Sequence, residues 1–144
     1  MMIGFLIAII SGALMSVQGV FNTQVTKASG IWAAAAFVQF SALIVCLGAW
    51  FFWEKGSLMR VFSVEPKYML LGGVIGAFIT YTVVQSMSGL GPAKAAMLIV
   101  ISQLIVAYLI EVFGMFGVEK TGFSWRKILG MGIAIIGIII FKWK

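Results

Sequence analysis

The sequence has no His, no Asp and a single Cys, and its four acidic residues are all Glu. Without His and Asp, one chain cannot assemble a Ser-His-Asp or Cys-His catalytic arrangement, so an enzyme is the function we expect least. A zinc site of the His/Cys type is excluded for the same reason, and we predict no metal and no cofactor. A single Cys also rules out a disulfide within the chain, and we expect Cys46 to be a small buried hydrophobic residue inside an apolar run.

Charged residues are scarce as well. They make up 10% of the chain, whereas 62% of the residues are hydrophobic; a soluble domain usually has about 25% charged and about 45–50% apolar residues. Ten Lys and Arg give a net charge of +6, but they are scattered between apolar blocks and form no basic stripe for nucleic acid. The composition therefore predicts an integral membrane protein whose partner is the lipid bilayer.

The charged positions divide the chain into apolar blocks, and a membrane-spanning helix needs about 20 residues. The fourth block reaches that length only by including Glu111, and the fifth only if Arg126, Lys127 and Lys142 extend to the membrane interfaces. The sequence predicts an all-α fold in which residues 1–144 form a single transmembrane domain. Its five spans are expected near residues 2–24, 31–53, 67–88, 93–114 and 125–143.

Aromatic and basic residues support this topology. All five Trp fall at predicted span ends, where an amphipathic ring prefers the headgroup layer. Six Lys and Arg lie on the N-terminal side of the membrane and four on the other side, which weakly favours a cytoplasmic N-terminus. We see two interpretations, a single orientation or a dual topology. In the second, copies insert both ways and pair antiparallel as an inverted repeat.

Polar side chains fall on narrow faces of the first and third predicted helices and on a broader arc of the fourth. At 100° per residue, Ser11, Gln18 and Asn22 share one face of the first helix. These side chains can serve as hydrogen bonds between helices, or they can line a solute path between helices. The candidate path residues are Gln18, Asn22, Gln39, Tyr81, Gln85, Gln103 and Tyr108.

Glu111 is the only acidic residue inside a predicted span. It lies about 25 Å along the fourth helix from Lys94, close to the far membrane boundary. One interpretation is an interfacial carboxylate that reaches lipid headgroups or pairs with Arg126 or Lys127. The other, which we adopt as a hypothesis, is a proton or cation coupling site that opens into a cavity.

Small residues form a second pattern. They allow helix backbones to approach closely in lipid, where the hydrophobic effect does not drive association. Packing within the chain and contact between subunits are both open, and the fifth helix is the better candidate for a subunit contact. The predicted packing residues are Gly72, Gly76, Gly130, Ala134 and Gly137.

Several motifs resemble one family, the short, five-helix YdcZ-like branch of the drug/metabolite transporter (DMT) superfamily. Gln18-Gly-Val-Phe-Asn22 is similar to its Q-x-x-x-N element, and Ser102-Gln103-Leu104 followed by Glu111-Val112-Phe113-Gly114 is similar to its fourth helix. Where Glu111 and Val112 stand, that family commonly has Asp and His, so a His-assisted coupling is absent here. The resemblance implies a multi-pass protein of the bacterial inner membrane that pairs into a ten-helix, 5+5 unit.

These observations together predict a half-size secondary transporter. It would act as a homodimer, or with a paralogous half-transporter, and move a small metabolite or organic cation by alternating access. Two alternatives stay open: a small dual-topology channel, which would conduct ions far faster, and a membrane scaffold that transports nothing. The sequence leaves the substrate, the transport direction and the coupling ion open.

Overall fold

The computed structural model describes residues 2–142, with side chains through residue 141, and this part of the chain forms helices and no strands. The α-helices are α1 (Met2–Ser29), α2 (Ile31–Ala49), α3 (Gly72–Leu90), α4 (Pro92–Phe113) and α5 (Trp125–Lys142). A π-helical turn, Trp50–Glu54, extends α2, and a 3-10 turn, Lys67–Leu71, leads into α3. The all-helical prediction is confirmed. Trp143, the predicted end of the last span, lies outside the described residues.

Within residues 2–142, four helical stretches are long and apolar enough to cross a membrane: Met2–Ser29, Ile31–Glu54, Lys67–Leu90 and Pro92–Phe113. The helix α5 has 18 residues and includes Arg126, Lys127 and Lys142. Its uncharged stretch, residues 128–141, extends about 21 Å at 1.5 Å per residue, less than the hydrocarbon thickness of about 30 Å. A fifth span therefore stays a prediction.

The helix α1 continues five residues beyond its predicted end at residue 24. Polar residues alone do not break a helix, and α1 ends only before Gly30, whose φ of 82° and ψ of 157° lie in a region open essentially to Gly. The Gly30 N–H donates to the Thr26 carbonyl at 2.9 Å. This single residue is the whole connection between α1 and α2.

Gly91 repeats the backbone conformation of Gly30. Its φ is 80° and its ψ is 157°, and its carbonyl accepts the N–H of Ala95 at 3.1 Å, as the Gly30 carbonyl accepts that of Ala34 at 3.1 Å. Both of these alanines are buried. The pattern Gly-x-x-x-Ala-Ala occurs at residues 30–35 and 91–96, a local repeat that the sequence analysis did not recognise.

Alanine at position 91 is expected to destabilise the protein, because a β-carbon in this backbone conformation costs about 1–3 kcal/mol. Gly89→Ala is the matched control: Gly89 lies within α3, no heavy atom is within 4 Å of a β-carbon added there, and Ala gains about 1 kcal/mol of helix propensity. Thermal unfolding in detergent, followed by circular dichroism, compares the two. A Gly91→Ala protein that melts at or above the Gly89→Ala protein would contradict the assignment.

Contacts divide the chain into two compact units, one through Gly89 and one from Leu90 onward. In the first unit the buried residues lie on α1, α2 and α3: Gly19, Asn22, Thr23, Ala34, Ala35, Val84 and Met87. In the second unit, α4 packs on α5, and Ala95 and Tyr108 of α4 are buried. The single transmembrane domain stays a prediction.

Most large apolar side chains face outward. Phe5, Phe37 and Ile133 are 69%, 64% and 70% exposed. Cys46 is exposed as well, so the expectation that it is buried is wrong. A soluble monomer rarely exposes such continuous apolar surface, whereas a membrane helix presents it to lipid. The surface of the described helices is thus suited to a bilayer.

Candidate functional site

The polar face of α1 forms a groove on the first unit. Ser11, Gln18 and Asn22 lie along it, and the groove has a volume of about 580 Å³. Its remaining lining is apolar: Leu14, Met15, Val17 and Phe21. The predicted face is therefore present as an open groove along α1.

Asn22 is 8% exposed, yet its amide forms no hydrogen bond with the described part of the chain, and neither does the amide of Gln18. Thr26, one turn further along α1, has a buried hydroxyl oxygen that also lacks a partner among the described residues. A buried polar group without a partner costs about 1–3 kcal/mol. The Gln18 and Asn22 amides border the groove and are therefore available to a molecule outside the unit, whereas the Thr26 oxygen is enclosed.

Two other predicted path residues lie between α2 and α3. The Tyr81 ring stacks on Trp32, with ring centroids 4.9 Å apart and planes at 24°. The Gln39 amide nitrogen lies 3.2 Å from the position of a β-carbon added to Gly76, so Gln39 packs directly over this glycine. Gln85 is exposed on α3. The role of Gln39, Tyr81 and Gln85 in a solute path stays a prediction.

The predicted small-residue faces have different surroundings. Gly76 contacts Gln39, whereas Gly72, Gly130 and Gly137 have no described heavy atom within 4 Å of an added β-carbon. Ala134 is half-buried. Within the described residues, these three glycines leave open space beside their helices, and their part in a subunit contact stays a prediction.

An ion pair joins α4 to α5 in the second unit. The Lys127 ammonium lies 2.5 Å from a carboxylate oxygen of Glu111, and both side chains are about half-exposed. The same ammonium lies 5.5 Å from the centre of the Tyr108 ring. Of the two basic partners considered from the sequence, the structure pairs Glu111 with Lys127. A role of Glu111 in coupling stays a prediction.

Tyr108 fixes the start of α5. Its hydroxyl accepts the N–H of Ser124 at 2.8 Å and lies 3.3 Å from the Ser124 carbonyl, to which it can donate. That carbonyl also accepts the N–H groups of Lys127 and Ile128 in the first turn of α5. Tyr108 therefore sets the position from which Lys127 reaches Glu111.

The segment between the two helices is tied to the same place. The helix α4 ends before Gly114, which has a φ of 66°. The chain then folds back, so that the Thr121 N–H donates to the Glu111 carbonyl at 2.9 Å. Backbone and side-chain bonds thus hold both ends of this connection beside Glu111.

A groove of about 350 Å³ lies at this ion pair. Tyr108, Glu111 and Lys127 supply its polar groups, and the apolar lining consists of Leu104, Ala107, Gly130 and Met131. Gln103 is exposed on α4 and does not line this groove. Carboxylate, aromatic ring and apolar wall are the groups that bind an organic cation.

Removal of the Tyr108 hydroxyl is expected to destabilise the second unit. Tyr108→Phe leaves a backbone N–H without its partner, at a cost of about 1–3 kcal/mol. Tyr81→Phe is the control, since the Tyr81 hydroxyl forms no hydrogen bond with the described residues. Melting temperatures in detergent compare the two proteins. Equal melting temperatures would show that the bonds to Ser124 contribute nothing.

Comparison with known families gives a match over nearly the whole chain. The model of a DMT family described as "Putative inner membrane exporter, YdcZ" matches residues 3–140. Searches of the curated proteins and of the solved structures found no match. The resemblance drawn from the motifs around Gln18 and Glu111 is confirmed.

Proposed function

Because the chain belongs to the YdcZ family of inner membrane exporters within the DMT group, we propose that it is a half-size secondary transporter. Its apolar helices and its family make it a multi-pass inner membrane protein. We propose that two copies, or one copy and a paralogous half-transporter, carry a small metabolite or organic cation by alternating access. It would not be an enzyme, nor would it bind nucleic acid.

The observation that carries this proposal is the groove on α1. Its Gln18 and Asn22 amides find no partner in the described part of the chain, although they lie in a helix suited to the membrane. Facing lipid, they would lose hydrogen bonds that nothing replaces. A water-filled chamber supplies those bonds and gives a polar solute a path.

A second chain completes such a chamber. The α1 groove is open along one helix face, so its other wall must come from another surface, and an antiparallel copy would supply the same residues in inverted order. Many transporters place substrate between inverted repeats in this way. With α5 as a fifth span, the pair has ten helices. Glu111 would then couple the solute to a proton or cation.

A flux measurement tests the proposal. Purified protein in proteoliposomes is expected to release trapped tetramethylammonium, a permanent cation that does not cross a pure bilayer. Gln18→Leu should reduce this flux about tenfold, equivalent to about 1.4 kcal/mol, because it removes a polar group from the groove. Gln18 is exposed, so the substitution should leave the fold intact.

Ala13→Leu is the matched control, since Ala13 lies about 140° around α1 from Gln18 at 100° per residue and is exposed. Wild-type flux no higher than that of protein-free liposomes would refute transport of this class of solute. Equal flux from the wild-type and Gln18→Leu proteins would remove the α1 groove from the path. Single-channel conductance steps in a planar bilayer would assign a channel instead.

A further inference from the structure

We propose that Tyr108 and Glu111 form a site for a primary ammonium group, and that the chain's own Lys127 occupies this site until a solute exchanges with it. The inference rests on the proposed function and deepens it, since it names the chemical class of the cargo. It also assigns Lys127 the role of an internal competitor.

The occupant of the site shows which group the site accepts. The Lys127 side chain ends in an ammonium that lies 2.5 Å from the Glu111 carboxylate and 5.5 Å from the centre of the Tyr108 ring. A carboxylate and an aromatic face are the two elements that recognise an ammonium ion. A free amine would find the same two contacts.

The site also has room for the body of a solute. The adjoining groove of about 350 Å³ is lined by Leu104, Ala107, Gly130 and Met131 beside the polar groups. At Gly130 no described heavy atom lies within 4 Å of an added β-carbon, so space is open there. The apolar lining fits an alkyl or aryl group attached to the ammonium.

The Lys127 ammonium and a free amine cannot occupy the site together, because both carry a positive charge. With Lys127 in place the pair is neutral, and a second ammonium beside it would meet a like charge. Lys127 can leave because its stem is flexible and because it lies in the first turn of α5, from which a long side chain can extend to the membrane interface. The arriving ammonium therefore takes the carboxylate as Lys127 swings away.

Lys127 competes strongly with a free amine for the site, because the chain holds its ammonium close to the site. A group linked to its site acts at a high effective concentration, and tethering changes apparent affinity by about 10²–10⁴ without any new contact. Removal of the Lys127 ammonium should therefore strengthen binding of a free amine.

The test measures propylammonium binding by calorimetry on full-length protein in nanodiscs. Lys127→Ala removes the part of the side chain that propylammonium replaces. This variant is expected to bind propylammonium about 100-fold more tightly than the wild type, and 1-propanol should bind to neither. Arg126→Met is the control, since it removes the adjacent positive charge but no contact to Glu111. The double variant Lys127→Ala, Glu111→Gln should not bind.

Equal affinity in the wild-type and Lys127→Ala proteins, or an equal gain in Arg126→Met, would overturn the proposal. Should Lys127→Ala fail to fold, Lys127→Met removes the competing ammonium but keeps the apolar stem, and it is expected to bind propylammonium more tightly than the wild type, with a smaller gain than Lys127→Ala. If propylammonium binding follows the prediction but the protein shows no tetramethylammonium flux, the site is kept and the proposed transport of tetramethylammonium is refuted.

The ammonium can come from a soluble amine or from a phosphatidylethanolamine headgroup. Nanodiscs of phosphatidylglycerol alone and nanodiscs with added phosphatidylethanolamine distinguish these sources. If phosphatidylethanolamine weakens propylammonium binding to Lys127→Ala, the headgroup occupies the site. If the affinity is the same in both, the site selects soluble amines.

Discussion

Replacement of Glu111 by Gln is expected to reduce tetramethylammonium flux in proteoliposomes by about tenfold. Glu111 is the only acidic residue within α1 to α5. Its removal leaves the Lys127 ammonium without a counter-charge beside the Tyr108 ring. Loss of one partner of a buried charge pair costs about 2–5 kcal/mol and loss of an exposed pair about 0–1 kcal/mol; this half-exposed pair lies between them, at about 1.4 kcal/mol, which corresponds to tenfold. The arriving cation would then meet a site of net positive charge.

Glu119→Gln provides the control for this substitution. It makes the same change in charge at an exposed position between α4 and α5, and Glu119 has no ion pair within the described residues. Its flux is expected to equal that of the wild type. Equal losses in both variants would indicate a general effect of net charge, and no loss in Glu111→Gln would exclude Glu111 from coupling.

Gly19→Leu is expected to have the largest effect on stability. A β-carbon at position 19 would lie 2.5 Å from the terminal carbon of Met87 and 2.7 Å from its sulfur, with Val83 at 3.5 Å. These atoms are the end of the Met87 side chain, which is buried, so a larger side chain must displace Met87 or separate α1 from α3. Overpacking of this kind costs about 1–3 kcal/mol or more, and about 2–4 °C of melting temperature per kcal/mol is expected for a chain of this size.

Two further variants identify the contact behind this effect. Gly12→Leu changes the same face of α1 two turns earlier, where no heavy atom lies within 4 Å of an added β-carbon, and should leave the melting temperature nearly unchanged. Met87→Ala combined with Gly19→Leu should recover part of the loss, because it vacates the space that the leucine needs. Additive losses in the double variant would show that the two residues do not interact.

The helices themselves were predictable because each is an apolar block bounded by charge, Gly or Pro. The end of α1 was not predictable in this way, because the residues from Asn22 to Lys27 resemble a segment at the membrane interface although they remain helical. Gly30 ends the helix, and its conformation is one that no pattern of hydropathy encodes. The repeat at Gly91 was likewise visible only as a spacing of Gly and Ala, which becomes meaningful once both backbones are known.

The candidate site was predictable in its residue types rather than in its contacts. The face of Gln18 and Asn22 follows from helical periodicity alone, and the groove on α1 has that face. The partner of Glu111 could be narrowed to Arg126 or Lys127, but the choice depends on how Tyr108 fixes Ser124 sixteen residues away. Sequence spacing carries no information about such a contact, because the path of the connecting segment decides it.

The central claim is that two copies bring their α1 grooves together around one chamber, and a distance between the copies tests it most directly. The substitution Cys46→Ser first removes the single native cysteine. Spin labels are then attached at Gln18→Cys in one variant and at Ala13→Cys in another. Pulsed electron paramagnetic resonance in nanodiscs measures the distance between the labels of the two copies. Because a helix with its side chains is about 10–12 Å across, the account predicts a clearly shorter distance between labels at position 18 than at position 13. No dipolar coupling at either position, or a shorter distance at position 13, would contradict it.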